Sequence, residues 1–236
     1  MDKRKITAIL LALAVAFITA VGLCVRALQA PQAVFSQAEM KMRVVVDAGH
    51  GGIDGGVTGK TTGIKESDLN LSLAMELKWA LEDMGFEVVL TRKTEAGLYG
   101  TTAKGFKKRD MLKRKEIIQT AEPDMVVSLH QNFYPSKIAR GGQVFYAHKN
   151  AESKLLAETL QNGLNALYAE DGAKSRNATA GEYFMLECCD VPSVIVECGF
   201  LSNPSDEKLL SSPVWKKRLA QTLAMGAVAY LSHFTS

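Results

Sequence analysis

The chain has 236 residues, 47% of them hydrophobic and 22% charged, enough apolar material for a buried core and too much for extended disorder. Its net charge of +3 lies in the first thirty residues, where Lys3, Arg4, Lys5 and Arg26 outweigh Asp2; residues 31–236 carry 24 basic and 24 acidic side chains. A neutral folded region has no electrostatic footprint for nucleic acid, so that class of partner is not expected.

At the N-terminus, Ile6 to Val25 are twenty residues without a charge, long enough as a helix, at about 1.5 Å per residue, to cross a bilayer. The basic residues before them favour a cytoplasmic N-terminal side. That length fits an uncleaved membrane anchor better than a cleaved signal, for which Val25-Arg26-Ala27 and Leu28-Gln29-Ala30 are only fair sites. Either way the remainder is extracytoplasmic. Residues 1–30 are read as anchor or signal segment, the polar stretch 31–41 as a linker, and 42–236 as a single domain.

Within that domain, Arg43 to Asp47 is an apolar run ending in glycines, the pattern of a buried strand entering a loop. From Ser67 to Met84, Leu69, Leu73, Leu77, Leu81 and Met84 form a helical stripe that Gly85 ends. Phe86 to Thr91 follows as a strand, Lys107 to Ala121 as a helix closed by Pro123, and Asp124 to His130 as another buried strand. The pattern continues with a strand over 142–147, a helix over 151–168, a short strand or turn over 183–186, a strand over 193–197 and a last helix over about 213–233. Strands alternating with helices predict an α/β fold: a mostly parallel mixed sheet with helices on both faces.

In such folds ligands bind beyond the carboxyl ends of the strands. His50, His130 and Glu197 stand there, and Glu66, at the start of the first helix, can point back over the same ends. Two imidazoles and a carboxylate make a zinc site with an open position, and a second carboxylate could then move protons. Gly49, Gly51 and Gly52 beside His50 let the backbone approach an ion or substrate closely. Gly55 to Thr61 imitates the end of a phosphate-binding loop, but the spacing of its glycines is wrong. Cys188 and Cys189 are adjacent and no Cys-x-x-Cys pair exists, which disfavours both a disulfide framework and a thiolate zinc site. Seven cations between Lys104 and Lys115 read as a solvated helix face.

The segments Val46-Asp47-Ala48-Gly49-His50-Gly51-Gly52, Glu66, Thr91-Arg92, Arg114, Ser128-Leu129-His130-Gln131-Asn132 and Val196-Glu197-Cys198-Gly199-Phe200-Leu201-Ser202-Asn203 resemble the zinc-dependent N-acetylmuramoyl-L-alanine amidases. These enzymes cut the bond between muramic acid and the stem peptide of peptidoglycan. Within the family the chain is most similar to the germination-specific amidase that forms muramic lactam in spore cortex, through Thr102 to Arg109, Gly142 to Tyr146 and the ending Phe200-Leu201-Ser202-Asn203-Pro204. Ala48 replaces the usual proline, Gln119 a common asparagine and Gln131 a frequent small residue.

The resemblance implies that His50, Glu66 and His130 hold zinc and that Glu197 is general base and then general acid. It makes 42–236 a zinc amidase domain acting on peptidoglycan, outside the membrane of a spore-forming, Gram-positive cell, with an activating protein partner as a further candidate. Asp47 is a candidate for holding a ligand histidine, and Arg114 and Asn132 for contacting substrate. The competing expectations are a catalytically silent peptidoglycan-binding or regulatory protein on the same fold, and a zinc peptidase cutting within the stem peptide.

Overall fold

The computed structural model describes Asp2 and residues 41–234. The expected anchor (1–30, apart from Asp2) and almost all of the linker lie outside the described residues; among those described, no helix is long and apolar enough to cross a membrane. Residues from Lys41 onward form one compact unit.

Its elements run β1 (Arg43–Ala48), α1 (Glu66–Asp83), β2 (Glu87–Leu90), α2 (Phe106–Ala121), β3 (Met125–Asn132), β4 (Gln143–Tyr146), α3 (Ala151–Ala169), β5 (Thr179–Ala180), α4 (Phe184–Glu187), β6 (Ser193–Phe200), α5 (Pro204–Ser211) and α6 (Pro213–Ser232). The six strands form one sheet in the order β2-β1-β3-β6-β4-β5. All neighbours are parallel except β4 and β6. The fold is therefore α/β with a mostly parallel mixed sheet, as the alternation of elements predicts.

Strand alternation sorts the core onto two faces. Val44, Val46, Met125, Val127, Val194, Val196 and Cys198 join the buried faces of α1, α3 and α6 in the larger cluster. Val45, Val126 and Ile195 point the other way, toward Ile118 of α2 and Met185 and Leu186 of α4. By the same parity Asp47, Ser128, His130 and Glu197 belong to this second, thinner face, where the smaller apolar cluster leaves room for polar groups. Cys198 lies opposite Glu197, fully buried in the larger core, and Cys188, Cys189 and Cys198 are all free.

Three details depart from the sequence reading. Met84 is 40% exposed, because α1 stops at Asp83 and the chain turns through Gly85 at φ 92°. The segment over 183–186 is neither strand nor simple turn: Tyr183 and Phe184 are exposed while Met185 and Leu186 are buried, an out-out-in-in order that suits the helical turn α4 better than strand alternation. Helix α5 was not expected, although its start is marked. Pro204 opens it, and the Asn203 side chain accepts from Ser205 N at 2.9 Å and Asp206 N at 3.3 Å.

Candidate metal centre

Four elements bring the site together at the carboxyl ends of β1, β3 and β6. His50 follows β1 in a tight turn closed by Gly51 N to Asp54 O (2.8 Å) and Asp54 N to Gly51 O (3.1 Å). Its φ of 61° is left-handed, a conformation that few side chains other than glycine adopt. The Arg114 Nη2 holds it there by donating to the His50 carbonyl at 2.6 Å. His130 and Glu197 are direct cross-strand partners in the β3–β6 register, so their side chains rise together from one face. Glu66 is the first residue of α1, with its Oε2 accepting from Val57 N at 2.9 Å while its own N–H donates to Val57 O at 2.8 Å.

Two glycines make this convergence possible. A Cβ at Gly49 would overlap the His130 ring, and one at Gly56, whose φ is 67°, would overlap the Glu66 carboxylate. The glycine-rich loop therefore leaves room for the His130 ring and the Glu66 carboxylate. The neighbouring Thr61 and Thr62 amides already donate to the buried Glu207 carboxylate, at 2.8 and 2.6 Å.

Glu66 Oε1 lies 3.2 Å from His50 Nε2 and 3.0 Å from His130 Nδ1, and the three donor atoms all fall within 4.8 Å of one another. Bonds of about 2.0–2.1 Å to a tetrahedral ion put neighbouring donors roughly 3.3 Å apart, so two of the three separations already match. The Glu66 carboxylate is fixed further by Gln131 N at 3.1 Å. Gln131, one of the departures from the family pattern, also donates through Nε2 to Asn70 Oδ1 at 3.0 Å and so braces Asn70 behind Glu66. Burial alone would raise the Glu66 pKa, but hydrogen bonds from His130 and His50 outweigh it and hold the group well below the ordinary carboxylate range. It is an anion facing two imidazole nitrogens, a donor set that can hold a divalent metal.

Glu197 is the opposite case. Its Oε2 is buried with no hydrogen-bond partner, and burial pushes its pKa up to about 7, with His130 opposing and Glu66 adding to the rise. Two neighbouring carboxylates are thus driven apart, one fixed as an anion and one able to exchange a proton near neutrality. Glu197 lines a cavity of about 310 Å³ together with His50, His130 and Asp54, facing an apolar wall that includes Phe106, Met111, Phe184 and Ile195.

The supporting candidates take different places from those expected. Asp47 touches neither histidine ring; it accepts from Thr91 Oγ1 and Ser128 Oγ, both at 2.6 Å, and from Arg114. The carboxylate that meets a histidine of the site is Asp54, 3.1 Å from His50 Nδ1, which the sequence reading did not single out. Arg114 is 1% exposed and lines the same cavity, with its nitrogens donating to Asp47, Asp110, Ala48 O and His50 O. Arg92 completes this cradle, donating to Ala48 O at 2.9 Å, Gly49 O at 3.1 Å and Ser67 O at 2.7 Å. Asn132 caps the adjacent Phe133 amide at 2.8 Å and does not line the cavity. The cation run is likewise divided, since Arg109 donates to four backbone carbonyls while Lys107 reaches Asp54 at 3.4 Å.

A family model described as N-acetylmuramoyl-L-alanine amidase matches residues 44–229, which span every element from β1 almost to the end of α6. The chain belongs to this amidase family. The germination-specific N-acetylmuramoyl-L-alanine amidase of Bacillus subtilis (strain 168) is 31% identical over 192 residues, covering 80% of this chain and 79% of that protein. LytC, an amidase of the same organism, is 29% identical over 79% of this chain, which spans only 35% of LytC. Among solved structures, the CwlD amidase from Clostridioides difficile, determined in complex with the GerS lipoprotein, matches with a TM-score of 0.77 and 32% identity over 82% of this chain and 100% of that one. The amidase-family match and the geometry meet at the same place, since the matched span contains all four residues of the site.

Proposed function

We propose that this protein is a zinc-dependent N-acetylmuramoyl-L-alanine amidase that hydrolyses the amide between N-acetylmuramic acid and L-alanine in peptidoglycan. His50, Glu66 and His130 hold the zinc, and Glu197 is the acid-base residue. The observation that carries this reading is the Glu197 Oε2, buried without a hydrogen-bond partner in register beside His130, next to three donor atoms within 4.8 Å of one another. A silent wall-binding protein has no use for a buried carboxyl of that kind, which costs stability unless it works.

A bound zinc ion supplies Lewis-acid polarisation of the scissile carbonyl and a more acidic water. Glu197 accepts the proton of the attacking water as the carbon–oxygen bond forms, then delivers it to the alanine nitrogen as the carbon–nitrogen bond breaks. Its pKa of about 7 suits both transfers. Glu66, held ionised, keeps the metal end of the site anionic, and apolar side chains line one wall of the cavity beside Glu197.

Similarity to the germination-specific amidase supports a role in spore cortex, and the solved CwlD–GerS complex supports a protein partner here too. Peptidoglycan as substrate, together with the charge and length of 1–30, supports an extracytoplasmic location with membrane attachment through that segment. Labelling of free amino groups after digestion of purified peptidoglycan tests the reaction: new alanine N-termini are expected, whereas amino termini of other stem residues would mean a peptidase and none at all a silent protein.

A further inference from the structure

The two histidines of the site are held unequally. His130 turns Nδ1 toward Glu66 at 3.0 Å, and its orientation is set by β3 and by the bare backbone of Gly49 against its ring. His50 turns Nε2 toward Glu66 at 3.2 Å, and its other nitrogen, Nδ1, lies 3.1 Å from Asp54 Oδ2. His50 belongs to no strand or helix and has a left-handed backbone, so packing alone does not fix its ring. The second carboxylate oxygen of Asp54 is 3.4 Å from Lys107 Nζ, on the first turn of α2. The backbone bridge between Gly51 and Asp54 brings this carboxylate back over the imidazole.

We propose that Asp54, backed by Lys107, is the positioning residue for His50: it accepts the Nδ1 proton, fixes the ring and its tautomer, and leaves the Nε2 lone pair directed at the metal position. This rests on the zinc assignment above. The physical reason is that only one tautomer of a neutral imidazole offers a lone pair at Nε2, and a carboxylate accepting from Nδ1–H selects it while making the ring a better donor. Lys107 ties the glycine loop to α2 and keeps the negative end of that contact in place. Asp47, the acid nearest in sequence to His50, cannot do this because its oxygens are committed to Thr91, Ser128 and Arg114.

The test is zinc affinity by chelator competition on the purified domain, with ring-nitrogen NMR of His50 in the metal-free protein. Asp54→Asn and Asp54→Ala should weaken zinc binding about 10- to 100-fold, and Asp54→Ala should move the proton of the neutral His50 ring from Nδ1 to Nε2, where Glu66 at 3.2 Å is the remaining acceptor. Lys107→Ala should show a smaller loss that Lys107→Arg restores. Unfolding curves of the metal-free variants guard against misfolding, since the Gly51–Asp54 backbone bonds do not need the side chain. Wild-type zinc affinity and an unchanged His50 tautomer in both Asp54 variants would overturn the proposal while leaving the zinc site intact. Failure of the wild-type protein to bind zinc would overturn the site assignment and this inference together.

Discussion

Glu197 and Glu66 are one residue type in one site, and their surroundings drive their pKa values in opposite directions. Glu197→Gln should leave zinc content unchanged by elemental analysis and lower turnover on the order of 10² to 10⁴, the range for a general acid-base group. Arg114 braces the site from below through the His50 carbonyl. Arg114→Met strands the buried Asp47 and Asp110 carboxylates and releases the His50 carbonyl, so urea unfolding should report a loss of about 3–5 kcal/mol. Burial alone would raise the Asp47 pKa, but Arg114, Ser128 and Thr91 outweigh it and hold the group below its ordinary value. Its contribution to stability is therefore complete above about pH 4 and is lost as pH falls through the depressed folded value. Wild-type stability should fall more steeply than that of Asp47→Asn over the acid range, measured by urea midpoints. The convergence of His50, His130 and Glu197 was legible because polar groups that end apolar strands have few structural uses, and that of Glu66 only because the helix it opens follows the first strand. Asp54 and the roles of Asp47 and Arg114 were not, because each depends on which atoms a folded loop brings opposite them.

At the scale of elements, the strands were readable because parallel strands buried on both faces are continuous apolar runs, as in Val44-Val45-Val46 and Val194-Ile195-Val196. Helix α1 was readable from its leucine stripe. Helix α2 was readable as a helix but not in its function, because nothing in a row of cations tells which one faces a buried aspartate. Helix α4 is too short to show a period. Helix α5 carried a readable start in Asn203-Pro204, passed over because the same residues also complete the motif that follows Glu197. Asn203→Ala should cost about 1 kcal/mol or more by removing the cap together with the Nδ2 bond to Lys137 O, while Asn203→Asp keeps the cap and loses only that second bond; thermal melts of the two variants distinguish them.

Across residues 41–234, the sheet holds the design together: parity sends Val44, Val46, Val127, Val194 and Val196 into the larger core and Asp47, His130 and Glu197, with Val45, Val126 and Ile195, to the other face. Alternation of strands and helices conveyed that architecture, whereas the antiparallel pairing of β4 with β6 and the two-residue β5 depend on long-range register that local sequence does not encode. Removing zinc with a chelator should lower the melting temperature as well as abolish activity, because a ligand bound only to the native state stabilises it. The most direct measurement is mass spectrometry of purified peptidoglycan digested by wild-type protein and by Glu197→Gln at matched zinc content. The predicted result is intact stem peptides and free lactyl groups from the wild type and almost none from the variant; shortened peptides, or equal release by both proteins, would contradict it.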